Sequence, residues 1–269
     1  MKRQLRLPPD LAYYCLFVIF LYFPIILLIV LSFNDSTVLR FPLKGFTLRW
    51  YEAVLDSHEL LRALKNSVII GVLSSVVATV LGLMAAIGIV RFRFPGRNMF
   101  LAISALPLVI PAVVIGVALL IMFRKILDVE LNMWTLGLSH VVINVPVVLL
   151  IVTARLVGFD PNLEEAAMDL GATYWGAQIR VTLPIVLPAL VAAFLTAFTT
   201  SFDEYAMSVF VIGTEPTLPV YMYSQLRFPR RIPLMVTMAA IIMVGSIMLI
   251  MAAEQLRRMG LERSSRQSE

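Results

Sequence analysis

Residues 12–33 read AYYCLFVIFLYFPIILLIVLSF, and none of them carries a charge. A helix needs about 20 mostly apolar residues to cross the hydrocarbon of a bilayer, and this run is long enough. It follows Lys2, Arg3 and Arg6. A secretory signal also begins with basic residues, but here the apolar run is too long and no small-residue cleavage site follows it. A retained membrane helix is therefore expected.

Five further runs qualify. Residues 66–90 are rich in Gly, Ser and Ala, which lets helices approach closely. Residues 99–123 carry Pro107 and Pro111; prolines are tolerated in a span where neighbours satisfy the freed carbonyls. Residues 134–154 hold His140 and Pro146, residues 186–212 hold Asp203 and Glu204, and residues 233–253 form the last run. The expected fold is all-α: a polytopic membrane protein with six transmembrane helices in one domain, 1–269. Within it, 1–65 supply the first helix and an outer loop. Residues 66–253 supply a five-helix core with a loop at 155–185, and 254–269 form a tail.

Composition agrees. The 269 residues are 60% hydrophobic and 14% charged, against about 45–50% and about 25% in soluble domains. The net charge of +5 suits an anionic membrane surface. No basic stripe with interleaved aromatics points to nucleic acid. Cys15 is the one cysteine, so no intrachain disulfide or paired-thiolate metal site can form.

Six spans place both termini on one side, and Lys/Arg bias selects the cytoplasm. That side receives Lys2, Arg3 and Arg6, then Arg91, Arg93 and Arg97, then Arg257, Arg258, Arg263 and Arg266. Arg227, Arg230 and Arg231 fall on the opposite side and run against the bias. In the first outer loop, 46–64 alternates Leu48, Trp50, Tyr51, Val54 and Leu55 with charges, as an interfacial amphipathic segment would.

The longest polar interruption of the second half is DPNLEEAAMDLGATYWGAQIRVTLPIVLP, residues 160–188. Asp160 suits an N-cap and Pro161 a first helical position. Glu164 and Glu165 lie near the positive end of the helix dipole, and Gly171 is a natural terminator. A short helix over 161–170 follows, with Leu163, Ala167 and Leu170 on one stripe and Glu165 and Asp169 on another face. A second short helix covers 174–180. From these residues alone, a solvated connector and a docking element are both open.

A resemblance narrows the choice. Glu165-Ala166-Ala167, Gly171 and Val181-x-Leu183-Pro184 stand at the spacing of the EAA loop of ATP-binding-cassette importer permeases, with Val181 where that family has isoleucine. The resemblance implies the type I importer permease fold and an ATPase-docking loop formed by Glu165, Ala166, Ala167, Gly171, Leu183 and Pro184. Its short helix would seat in a groove on a separate ATPase, whose closure would switch the permease between inward- and outward-facing states. The implied partners are two ATP-binding-cassette ATPase subunits, a second permease subunit (a paralogue is favoured), and a solute-binding protein outside the bacterial inner membrane. No phosphate-binding loop GxxxxGK[ST] occurs in the chain. ATP and Mg therefore belong to the partner ATPase, and no cofactor is expected on this chain. Nor does it contain HExxH, GxSxG or a paired-cysteine site, so it reads as a transport subunit and not an enzyme.

Across nearly its whole length the chain also resembles the spermidine/putrescine subgroup of these permeases. LSFN (31–34), GFTLRWYEAVL (45–55), RFRFPGRN (91–98), LEEAAMDLGAT (163–173) and SFDEYAMSVF (201–210) carry the likeness. Two departures stand out: Glu204 where the subgroup often has a second aspartate, and PRRIPLMVTMAA over 229–240. The resemblance implies polyamine cargo, with phosphonates, thiamine or ferric ion as open alternatives. Asp203 and Glu204 are candidates for the translocation path, since an acid inside a span costs about 2.5–3.5 kcal/mol and is functional by default. The bland reading is pairing with another subunit or a place near the interface. Thr199, Thr200 and Ser201 extend the polar character, and His140 reads as a polar residue bonded between helices. An alternative function is an ion-gradient secondary transporter coupled through Asp203 or Glu204. That predicts inverted repeats with broken helices in both halves, which the sequence does not display.

Overall fold

The computed structural model describes residues 9–38, 42–160 and 162–266. Lys2, Arg3, Arg6 and Pro161 lie outside the described residues, as do the side chains of Arg257, Arg258, Arg263 and Arg266. The described chain is helical almost throughout. Its one extended pairing among the described residues is an isolated bridge between Asn34 and Phe46.

Five helices are long and apolar enough to cross a membrane, and a bent helix pair supplies a sixth crossing when counted as one span. The first helix, α1 (Pro9–Ser32), exposes apolar side chains around its circumference, among them Phe17, Phe20 and Phe23. A helix with no polar face and little cover is suited to lipid. Next come α2 (Arg49–Asp56) and α3 (His58–Arg91). The second span thus begins near His58 and not at residue 66. With 34 residues it is about 51 Å long, well beyond the ~30 Å hydrocarbon core. Its first turns, with Glu59, Arg62 and Lys65, therefore have length to spare outside the hydrocarbon.

The third expected span is broken. α4 (Arg97–Val109) and α5 (Ala112–Ile121) meet at 104°. Pro111 lacks an N–H and disfavours the helical conformation in the residue before it, and Ile110 accordingly turns to extended backbone, ψ 130°. One π-helical turn (Met122–Ile126) ends the pair. α6 (Met133–Val157) starts in a capping box: Asn132 Oδ1 accepts from the amides of Trp134 and Thr135, and the Thr135 hydroxyl oxygen accepts from the amide of Asn132. Two short helices, α7 (Asn162–Asp169) and α8 (Tyr174–Ala177), and a π-helical turn (Gln178–Thr182) lead into α9 (Leu183–Phe202). The fifth span ends there, short of residue 212. After it come α10 (Ser208–Val211), α11 (Leu218–Gln225), a 3₁₀ turn (Pro229–Arg231) and α12 (Ile232–Arg266).

The chain divides into two compact units, Met1–Leu61 with Met222–Glu269, and Arg62–Tyr221. In the first, α12 packs on α1 and α2. Polar side chains pin the end of α1: the Ser32 and Tyr51 hydroxyls lie 2.7 Å apart, Trp50 Nε1 donates to the Asn34 carbonyl, and the Thr237 hydroxyl donates to the Ser32 carbonyl. Trp50 and Tyr51, expected at the membrane interface, are half-buried and committed to this junction.

In the second unit, α3, α6 and α9 share a core of small and aliphatic residues, including Ala78, Ala86, Val148, Val152, Ala193 and Ala197. Lipid offers apolar side chains as good a solvent as the protein does, so close packing and not hydrophobicity holds such helices together. Gly82 shows how close: a Cβ there would sit 2.5 Å from Val148 Cγ1. A second cluster, Ile70, Leu119, Phe123, Leu136, Met207 and Val211 among its members, packs α10 against α5 and α6.

Candidate functional site

The connector between α6 and α9 is built to be held on one side and open on the other. The Asp160 carboxylate accepts from the amide of Asn162 at 3.0 Å, satisfying a donor at the start of α7. The far end closes by the amide of Ala172 donating to the Ala167 carbonyl and that of Gly171 to the Met168 carbonyl, the paired bonds of a Schellman motif. Gly171 takes φ +91°, which only glycine adopts without strain. Thr173 then caps α8, its hydroxyl oxygen accepting from the amide of Gly176. Pro184 has no N–H to offer the Arg180 carbonyl, and the backbone widens into the π-helical turn Gln178–Thr182 around that gap.

One residue anchors this assembly. Glu164 is buried, whereas its neighbour Glu165 is exposed. Arg91, at the C-terminal end of α3, donates Nη2 to Glu164 Oε1 at 2.5 Å. The hydroxyl of Thr182, in the turn leading to α9, donates to the same oxygen. The Arg91 guanidinium also lies over the Phe159 ring, 5.1 Å from its centroid. Both charges complement their helices, a cation at the end of α3 and an acid in the first turn of α7. One carboxylate therefore joins the connector to the ends of two long helices. Arg155, in the last turn of α6, adds a link through Nη2 to the Ile185 carbonyl at 3.3 Å.

The other face is open. Glu165, Ala166, Gly171, Leu183 and Pro184 are exposed and Ala167 is half-buried. The sequence-derived docking residues thus belong to one continuous loop. Beside them stand large apolar side chains with little cover: Leu170 is 90% exposed, Trp175 72% and Ile179 61%. Uncovered apolar groups among carboxylates mark a surface suited to a protein partner. Sequence reasoning missed Glu164, Arg91 and Thr182. The doubled Glu164-Glu165 was the available signal, since two adjacent residues on a helix cannot both face the same way.

The acids expected inside the fifth span lie elsewhere. α9 stops at Phe202, so Asp203 and Glu204 occupy the turn after it. The Asp203 amide closes α9 by donating to the Thr199 carbonyl, and its side chain is exposed. Glu204 is half-buried, its carboxylate accepting from the amide of Met207 at 2.7 Å, and this local bond competes with helix continuation. Thr199 and Thr200 are exposed, and their hydroxyls donate to the Leu195 and Thr196 carbonyls.

The turn is pinned at both ends by His140, which is fully buried on α6. Its Nδ1 lies 2.5 Å from the Ser201 hydroxyl and its Nε2 2.9 Å from that of Ser208. Ser201 extends the chain of hydrogen bonds to Ser74 on α3, 3.1 Å away. His140 thus bonds between helices, as expected from sequence.

Residues 78–258 match the model of the family described as "Binding-protein-dependent transport system inner membrane component". The chain is 34% identical over 242 residues to the spermidine/putrescine transport system permease protein PotC of Escherichia coli K12, covering 89% of this chain and 90% of that one. It is 34% identical over 215 residues to the putrescine transport system permease protein PotI of the same strain, covering 77% and 76%. Among solved structures, a bacterial ABC transporter involved in import of the acidic polysaccharide alginate superposes with TM-score 0.71 at 20% identity, covering 92% of this chain and 93% of that one. The MetNI methionine ABC transporter, in an inward-facing conformation, superposes with TM-score 0.60 at 22% identity over 74% and 94%. These two show a shared fold. The chain belongs to the binding-protein-dependent transport family and is an inner-membrane permease subunit of an ABC importer.

Proposed function

We propose that this permease imports polyamines, driven by ATP hydrolysis on a separate ATPase that docks on residues 155–185. The two identified relatives, named for spermidine/putrescine and putrescine transport, support the cargo. The observation that carries the mechanism is the two-sided α7: Glu165, Ala166 and Leu170 stand free while Glu164 is tied to Arg91 and Thr182. A partner pressing on the free side moves a short lever whose other side is bonded to the ends of α3 and α9. Those helices share one core with α6, so displacement of the lever passes to the spans together.

The orientation follows from charge. Arg91, Arg93 and Arg97 sit on the same side as the connector, and the positive-inside rule makes that side cytoplasmic, together with both termini. One span, α9, separates the connector from Asp203, which places Asp203 toward the outer side. An exposed carboxylate there offers a charge to an arriving polycation. The assembly has two such permease halves, this chain and a paralogue, with two ATPases inside and a solute-binding protein outside. The family match and the named permease relatives favour this reading over an ion-gradient mechanism. The test is uptake of labelled spermidine by cells expressing this chain together with an ATPase, a second permease and a binding protein of the same transport system. Uptake that depends on both this chain and the binding protein supports the reading; polyamine uptake indifferent to either refutes it.

A further inference from the structure

We propose that the turn between α3 and α4 binds the phosphodiester headgroup of an anionic phospholipid through Arg93 and Arg97. Residues 93, 94 and 96–99 line a cleft of about 330 Å³. The turn joins two helices that enter the bilayer, α3 ending at Arg91 and α4 beginning at Arg97, so its depth is that of the lipid headgroups.

The charges there are unbalanced. Residues 91–109 hold Arg91, Arg93 and Arg97 and no acid. Arg91 is committed to Glu164. Among the described residues Arg93 and Arg97 enter no ion pair; the Nε of Arg97, like that of Arg91, is buried without a hydrogen-bond partner. A buried donor left unmet is costly, and a guanidinium's rigid fork matches phosphate oxygens. Gly96, at φ +85°, turns the chain so that both arginines border one cleft.

The rim selects the source of the phosphate. Phe92, Phe94, Met99 and Phe100 are 56%, 40%, 67% and 43% exposed around the two cations. Free phosphate has no use for that surface, whereas a phospholipid sets its charge on the arginines and its glycerol and acyl chains on the aromatic and methionine side chains. The proposal rests on the membrane-spanning fold and not on the coupling mechanism, so either can fail alone.

The test is native mass spectrometry of the full transporter purified in mild detergent and titrated with phosphatidylglycerol or phosphatidylcholine. Wild type is expected to retain phosphatidylglycerol and not phosphatidylcholine. Arg93→Gln and Arg97→Gln should each weaken retention roughly fivefold. Arg124→Gln with Lys125→Gln, which removes two exposed cations elsewhere, should leave it unchanged. Equal retention of both lipids, or retention unaffected by Arg93→Gln with Arg97→Gln, would overturn the proposal. Displacement of the lipid by inorganic phosphate would overturn the lipid assignment and leave a free-anion site.

Discussion

Arg91 Nη2 stands 2.5 Å from Glu164 Oε1, and this pair ties the connector between α6 and α9 to the end of α3. The side chains are 16% and 9% exposed, so each ion depends on the other for compensation. Removing either partner strands the other, at a cost of about 3 kcal/mol. Glu164→Ala and Arg91→Ala are expected to abolish most uptake and to make 160–182 sensitive to limited proteolysis. The swapped pair Arg91→Glu with Glu164→Arg should recover part of both. Glu165→Ala, on the exposed side, should leave proteolysis unchanged and weaken ATPase association.

Gly171 should tolerate no side chain, for reasons of backbone and not of space: nothing lies within 4 Å of where its Cβ would be, and its φ is +91°. Gly171→Ala should cost about 1 kcal/mol of local order and reduce ATPase co-purification. Gly171→Asp, which adds a charge beside Leu170, should abolish co-purification while the protein still inserts in the membrane.

Gly82 behaves oppositely, since its constraint is contact. A Cβ would meet Val148 Cγ1 at 2.5 Å and Val148 Cβ at 2.7 Å. Gly82→Ala is expected to push α3 from α6 and lower stability by about 1–3 kcal/mol, read as a drop in Tm in detergent. The double variant Gly82→Ala with Val148→Ala should regain part of the loss.

Variants at Asp203 and His140 test cargo contact and scaffold separately. Asp203→Asn should cut polyamine uptake and leave the Tm of the assembled transporter unchanged, because the carboxylate is exposed in the turn after α9. His140→Ala should lower Tm, since it takes the imidazole from the buried Ser208 hydroxyl, at about 1–3 kcal/mol for the unmet group, while Ser201 keeps its bond to Ser74.

The spans were legible because the bilayer imposes a length and a composition that few sequences meet by accident. Their ends were less so. α3 runs back to His58 because Glu59, Arg62 and Lys65 lie in turns that need not enter hydrocarbon, and a hydropathy reading stops at the first charge. α9 ends at Phe202 because the Glu204 carboxylate takes a backbone amide, a local bond invisible to periodicity. The bend at Pro111 depends on whether neighbours hold the helix straight. The two short helices of the connector and the glycine turn between them were legible as a spaced pattern, but the anchor was not. Whether Glu164 or Glu165 faces inward is settled by Arg91 and Thr182, far away in sequence, and no local pattern supplies that phase.

Cysteine cross-linking addresses the lever itself. Cys15 is the one native cysteine, so a Cys15→Ser background carries a single probe at Ala166→Cys, on the exposed face of α7. A short thiol-to-amine cross-linker applied to inverted membrane vesicles is expected to join this position to a lysine of the ATPase subunit, with a yield that changes between nucleotide-free and ATP-trapped states. If the probe instead reacts with an impermeant thiol reagent from the outside of intact cells, or gives no ATPase adduct in either state, then α7 is not where force enters and the account is wrong.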